Sequence, residues 1–239
     1  MTDFKQNDKF RDSYNIFTIS LNTDIGNARK ELLNFDTEIL EACTYDTTPQ
    51  FIKDKFKFWQ IGNKIARPIS GQHGTIGCFG SHYVAMKKIA DEQIDNAIIT
   101  EDDAMQKAHL PDPKIFTEPT LLGAFIFHPT NWKDSDRWVR EEMSDLIFSW
   151  NTNIIEVDYE KFRWRGCHSY LFPKWQQAKK IVEHIDNAPF LKAIDQELPN
   201  HKLINYLHYP AIFEQRRTLE SQIDTKSGSY FAGLRKSML

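Results

Sequence analysis

The sequence predicts an α/β fold, a sheet flanked by helices in one domain, and three observations carry that prediction. The chain opens as strand, polar turn, helix and strand over residues 16–42. A buried-looking run, Ala97-Ile98-Ile99-Thr100, passes directly into three carboxylates, Glu101-Asp102-Asp103. Downstream, runs with apolar residues at helical spacing alternate with further apolar strands. Strands alternating with helices stack into a sheet covered by helices, with ligands beyond the carboxyl ends of the strands.

Taken in order, residues 1–14 read as a polar, frayed leader. Residues 16–21 form the first strand, followed by a turn with Asn22, Asp24 and Gly26, a helix over 28–33 and a strand over 38–42. Residues 51–59 are helical, and Gly71 to Gly77 read as loop. From Gly77, Phe79, Tyr83, Met86 and Ala90 form one apolar stripe with Lys87, Lys88 and Asp91 opposite, a helix that leads into the acidic strand. Leu110-Pro111-Asp112-Pro113 is loop, 121–128 a strand, 139–150 an amphipathic helix, and 154–159 and 166–172 two more strands. Pro173 fits the first turn of a helix whose buried stripe is Trp175, Ala178, Ile181, Val182 and Ile185. A shorter helix over 190–198 and a strand over 206–213 complete the pattern, before a polar tail from 216 with Ser227-Gly228-Ser229. No repeat or low-complexity linker divides the chain, so one domain over 15–223 is expected, with 224–239 as tail.

Composition narrows the function classes. A chain of 239 residues with 41% apolar and 26% charged residues is long and apolar enough to bury a full core. A net charge of −3 argues against a protein held on nucleic-acid phosphates. Cys43, Cys78 and Cys167 are widely spaced, which is neither a disulfide framework nor a zinc motif and suits a reducing compartment. No apolar stretch reads as a signal peptide or a membrane span, so a cytoplasmic protein is expected.

The chemistry centres on Glu101, Asp102 and Asp103. Three adjacent carboxylates repel, and burying them costs several kcal/mol each unless a cation compensates. A divalent ion with oxygen ligands answers this and commonly also holds a phosphate-bearing substrate. The bland alternative is a solvated strand end. Alternation along a strand points Glu101 and Asp103 one way and Asp102 the other. Gly71 to Gly77 resembles a phosphate-cradling loop entering a helix, although it lacks a Walker Lys-Ser/Thr and a dinucleotide fingerprint. Taken singly, His73, His82 and His168 read as structural histidines.

Several segments together resemble glycosyltransferase family 25, the lipopolysaccharide-type β-glycosyltransferases. They are the opening strand with Arg29, Gly74-Thr75-Ile76-Gly77-Cys78-Phe79-Gly80-Ser81-His82, the acids Glu101-Asp102-Asp103, and Cys167-His168-Ser169-Tyr170-Leu171-Phe172. Ala193-Ile194-Asp195, Tyr209 to Gln215 and Ser221-Gln222-Ile223 follow in family order. The resemblance implies a GT-A fold, a Rossmann-type sheet that binds a nucleotide sugar, usually a UDP-sugar, with Mn²⁺ or Mg²⁺ at the acids. It implies transfer, with inversion, to a hydroxyl on a glycan or lipopolysaccharide-like acceptor. Asp103 is then the expected metal ligand, with His168 completing the shell or orienting the diphosphate. Glu101, Asp102, Ser81, His82, Thr75 and Arg29 are expected at the nucleotide sugar, and Asp195 as the general base. Gly80 before Ser81, and Gln222 where an acid is frequent, depart from the family pattern. Two rival readings remain open: a metal-dependent nucleotidyl- or phosphotransferase, and a non-catalytic carbohydrate-binding protein of the same fold.

Overall fold

The computed structural model describes residues 8–62, 73–127, 153–159 and 163–215. Its nine strands are β1 (Asn15–Ser20), β2 (Glu38–Glu41), β3 (Ala97–Glu101), β4 (Ala104–Gln106), β5 (Thr120–Phe127), β6 (Ile154–Glu156), β7 (Arg163–Phe172), β8 (Tyr206–His208) and β9 (Phe213–Gln215). The helices are α1 (Asp24–Glu31), α2 (Gln50–Gly62), α3 (His73–Asp91), α4 (Trp175–Asn187) and α5 (Ile194–Asn200). Seven strands form one sheet in the order β2-β1-β3-β7-β5-β8-β6, and β4 pairs with β9 in a separate two-stranded ribbon. The sheet is mixed. β1 runs parallel to β2 and β3, whereas β7 lies antiparallel between β3 and β5. The architecture is a single α/β domain, consistent with a Rossmann-like GT-A fold.

Both faces of the sheet are buried, which explains the continuous apolar run in β3. Ala97 and Ile99 enter one core with Phe17, Tyr170 and Phe172, and Ile98 enters the other with Ile16 and Leu171. The first core is roofed by α3 and α4, through Ile76, Phe79, Tyr83, Met86 and Ile89 on one helix and Ala178, Ile181, Val182 and Ile185 on the other. Each large aliphatic or aromatic side chain fully buried here contributes about 1.5–3 kcal/mol. The second core holds Tyr14, Leu33, Phe35, Phe116 and Phe213.

Several expectations shift in physically simple ways. α1 starts at Asp24, ahead of the expected 28, because the Thr23 side chain caps it by accepting from the Gly26 N–H at 3.1 Å. Gly74 to Gly77 are helical, not loop. A Cβ on Gly77 would lie 2.7 Å from the Cys43 carbonyl oxygen, so the glycine serves a close approach of α3 to the chain after β2. Pro173 stands just outside α4, where Lys174 is the N-cap, and the Pro173 carbonyl accepts from Asn96 N–H. The strand expected over 206–213 divides into β8 and β9, with Pro210, which has no N–H to give a ladder, between them.

The part of the expected leader within the described residues is anchored. The Asp8 carboxylate accepts from Gln106 Nε2 and Leu110 N–H, both at 2.8 Å, and the Tyr14 hydroxyl donates to the Pro111 carbonyl. The helix expected over 139–150, His128, and the tail from 216 with Ser221 and Gln222 lie outside the described residues. Among the described residues no helix is long and apolar enough to cross a membrane.

Candidate active site

The acidic stretch leaves the sheet at the carboxyl end of β3, and the strand order decides what meets it there. Pairing Thr100 with Thr18 on one side and with Ser169 on the other sets Glu101 between the ends of β1 and β7. The Thr18 and Thr100 hydroxyls, 2.7 Å apart, tie β1 to β3 at this level of the sheet. Asp102 and Asp103 then form the turn into β4.

Asp102 faces α1. Its Oδ1 accepts from Arg29 Nη1 at 2.8 Å and its Oδ2 from the Ser20 hydroxyl at 2.9 Å, with both residues buried. The pair ties the helix after β1 to the turn after β3. A charge-assisted bond of this kind is also what makes it safe to bury the acid.

Glu101 faces α3. Its Oε1 lies 3.3 Å from His82 Nε2, and His82 Nδ1 lies 2.8 Å from the Tyr170 hydroxyl. Burial raises the Tyr170 phenol well above its ordinary range, with Cys167, Cys78 and Glu101 adding to the shift, so it stays a neutral hydroxyl. An ionised Glu101 can only accept, so the Nε2–H of His82 donates to it. Burial opposes the Glu101 charge, but His82, then His168 and Arg29, outweigh it and hold the carboxyl below its ordinary value.

Asp103 is different. One oxygen, Oδ2, accepts from Gln215 Nε2 of β9 at 2.8 Å, while Oδ1 is buried with no hydrogen-bond partner. Burial first and the Glu101 charge second push its carboxyl up to about 7, against the smaller help of Gln215 and Arg29. A buried carboxylate oxygen without a donor has its hydrogen-bonding capacity unfilled.

His168 reaches the same place because it follows Ser169 in the β7–β3 register. It is buried against Gly123, where an added Cβ would stand 2.9 Å from the imidazole, and burial depresses its pKa even though Glu101 pulls the other way. Asp195 lies in the first turn of α5 and accepts from the Gly166 N–H of β7 at 3.4 Å. Its charge, together with those of Glu101 and Asp103, adds to burial in raising the Cys78 thiol well above its ordinary range.

Ser81 is buried, and its hydroxyl donates to Gly77 O and accepts from Cys43 N–H, both at 2.7 Å, so it works as a brace within the α3–β2 junction. Thr75 is half-buried in the first turn of α3. Sequence reasoning missed Cys78, Tyr170 and Gln215. The signal for Cys78 was its i, i+4 spacing to His82, which sets both on one helix face; their ligand atoms and a Glu101 oxygen lie within 4.8 Å of one another.

A family model described as glycosyltransferase family 25 (LPS biosynthesis protein) matches residues 13–198. The chain belongs to glycosyltransferase family 25. It is a glycosyltransferase, and the matched span contains β1, Arg29, the acidic turn, the β7 histidine and Asp195. As a member of this family it moves a sugar from a donor to a glycan acceptor. Comparison with curated proteins finds no match.

Proposed function

We propose that this family 25 enzyme uses a nucleotide-diphosphate sugar of the UDP-sugar class. It would transfer the sugar, with inversion, to a hydroxyl of a lipopolysaccharide-like glycan, with Mn²⁺ or Mg²⁺ held by Glu101 and Asp103. The observation that carries this reading is Asp103 Oδ1, a buried carboxylate oxygen with no hydrogen-bond partner, on an acid whose pKa the charge of Glu101 helps to raise. The donor set fits the ion: carboxylate oxygens suit a hard cation that also takes phosphate oxygens. When bound, the ion supplies Lewis-acid stabilisation of the charge that develops on the departing diphosphate.

The chain's own residues do the rest. His82, oriented by Tyr170, holds Glu101 in its ionised form, and the Arg29–Asp102 pair fixes the turn from which Asp103 projects. Ser81 contributes by holding α3, and Thr75 lies where the first-turn N–H groups of that helix favour an anion. His168, kept from protonating by burial, stands ready to complete the ion's shell or to face the diphosphate. Inversion needs one base for the acceptor proton, and that role is assigned to Asp195, in the first turn of α5 where the helix meets β7.

Product analysis separates glycosyl transfer from its nearest rival. Incubation with nucleotide sugars, Mn²⁺ and glycan acceptors is expected to release a nucleoside diphosphate; release of pyrophosphate would mean nucleotidyl transfer, and binding without donor consumption would mean a non-catalytic protein. Asp195→Asn is expected to slow transfer about 10²–10⁴-fold while donor binding persists. Transfer at the parent rate in that variant would remove Asp195 from the mechanism.

A further inference from the structure

A second constellation of ligand-type side chains lies away from the acidic turn, where α4 meets α5. His184 is in the last turn of α4, Glu197 lies within α5, and His201 is the C-cap residue of α5. Glu197 and His201 are four residues apart, about one helical turn, so they share a face. Nε2 of His184 lies 3.0 Å from Glu197 Oε1, and Nε2 of His201 lies 3.3 Å from the same oxygen. The two imidazole centroids are 4.5 Å apart, and the three ligand atoms all fall within 4.8 Å of one another. The other carboxylate oxygen, Oε2, accepts from Lys192 N–H at 3.2 Å.

The Glu197 side chain is 1% exposed, and among the described residues its ion-pair partners are the two histidines alone. A carboxylate so buried calls for a compensating positive charge. Two Nε2 atoms converge on one oxygen, an arrangement a hydrogen-bonding histidine would need only once. Ligands held about 2.0–2.2 Å from a tetrahedral ion stand about 3.3–3.5 Å apart, close to the separations found here. Two imidazoles and one carboxylate form a donor set suited to first-row transition cations, unlike the all-oxygen preference of Mg²⁺. His184 and His201 are 26% and 46% exposed, which gives an ion a path in and leaves a position for water.

We propose that His184, Glu197 and His201 form a binding site for a transition cation of the Zn²⁺ class, which clamps α4 to α5. Binding uses the Nε2 lone pairs, so the ring protons sit on Nδ1 and any excess proton passes to solvent. The clamp sets α5, and with it Asp195 two residues before Glu197, against β7. The site is independent of the ion at Glu101 and Asp103, and its ligands are softer.

The test uses the full chain carrying Asp103→Asn and, with it, Glu101→Gln, so that neither the acidic turn nor the Cys78, His82 and Glu101 group supplies an ion site. Titration with Co²⁺ is expected to give one bound ion per chain, with the intense visible bands of a low-coordinate nitrogen–oxygen site. Zn²⁺ at about 100 times its Kd should raise Tm by about 5 °C or more, and Mg²⁺ should not. Adding His201→Gln or His184→Gln should weaken Co²⁺ binding about tenfold or more while the metal-free Tm stays near that of the parent. A flat Co²⁺ titration of the chain carrying Asp103→Asn and Glu101→Gln overturns the site, as does unchanged Co²⁺ binding after both histidine substitutions. Because the parent titration needs no histidine variant, a variant that fails to fold leaves the decision intact.

Discussion

Asp102 and Asp103 are neighbours in sequence and almost equally buried, at 7% and 8% exposure, yet they sit in opposite electrostatic settings. Asp102 has a cation on one oxygen and a hydroxyl on the other. Asp103 has an amide on one oxygen, nothing on the other, and Glu101 as its charged neighbour. A buried acid whose partners are all supplied by the fold is architecture. A buried acid whose partner set stops short is, on the reading proposed above, where a ligand completes the structure. The α4–α5 corner adds a third case, in which Glu197 is surrounded by imidazoles instead of oxygens and so favours a different ion.

The comparison breaks most visibly at Arg29. Arg29→Met removes the cation and leaves Asp102 buried without it, which should destabilise the protein by about 3–5 kcal/mol, read from urea unfolding. A loss well under 1 kcal/mol would mean that Asp102 is not held as an ion by this pair.

A smaller effect sharpens the Asp103 side. Its folded-state pKa, about 7, lies above the ordinary 3.8, so between those values the native state binds more protons than the unfolded chain. Stability of the metal-free protein should therefore fall as pH rises across that window, by up to about 1.4 kcal/mol per pH unit from this group, and level off above it. Asp103→Asn should flatten that slope. Chemical denaturation at several pH values with a chelator present checks it, and an identical slope in the variant would show that the burden lies elsewhere.

The legible parts of this molecule are those where neighbours in sequence decide the outcome. The apolar run into Glu101 announced both a buried strand and the exit point of the acids, and the Phe79, Tyr83, Met86, Ala90 stripe announced α3. Strand alternation predicts one shared direction for Glu101 and Asp103, but Asp102 and Asp103 lie in the turn after β3. The three acids meet three different partners, Glu101 at His82, Asp102 at Arg29 and Asp103 at Gln215. What did not read was decided across long separations. Gly74 and Gly77 looked like loop because glycine usually is, whereas the Cys43 carbonyl, far back in the chain, is what excludes a side chain at Gly77. Antiparallel β7, inserted between β3 and β5, has no local signature, yet it delivers His168 and Tyr170 to the site. The meeting of His184 with Glu197 and His201 depends on how α4 and α5 cross, which spacing alone does not reveal.

The central claim is that Asp103 and Glu101 hold a divalent ion through which the donor's diphosphate is bound. A thermal-shift titration with UDP-sugars, run on the parent chain and on Asp103→Asn, with Mn²⁺ and with chelator, tests it most directly. The account predicts a donor-dependent rise in Tm for the parent chain with Mn²⁺, and no such rise with chelator or in the variant. An equal rise without the metal, or one retained in Asp103→Asn, would contradict it.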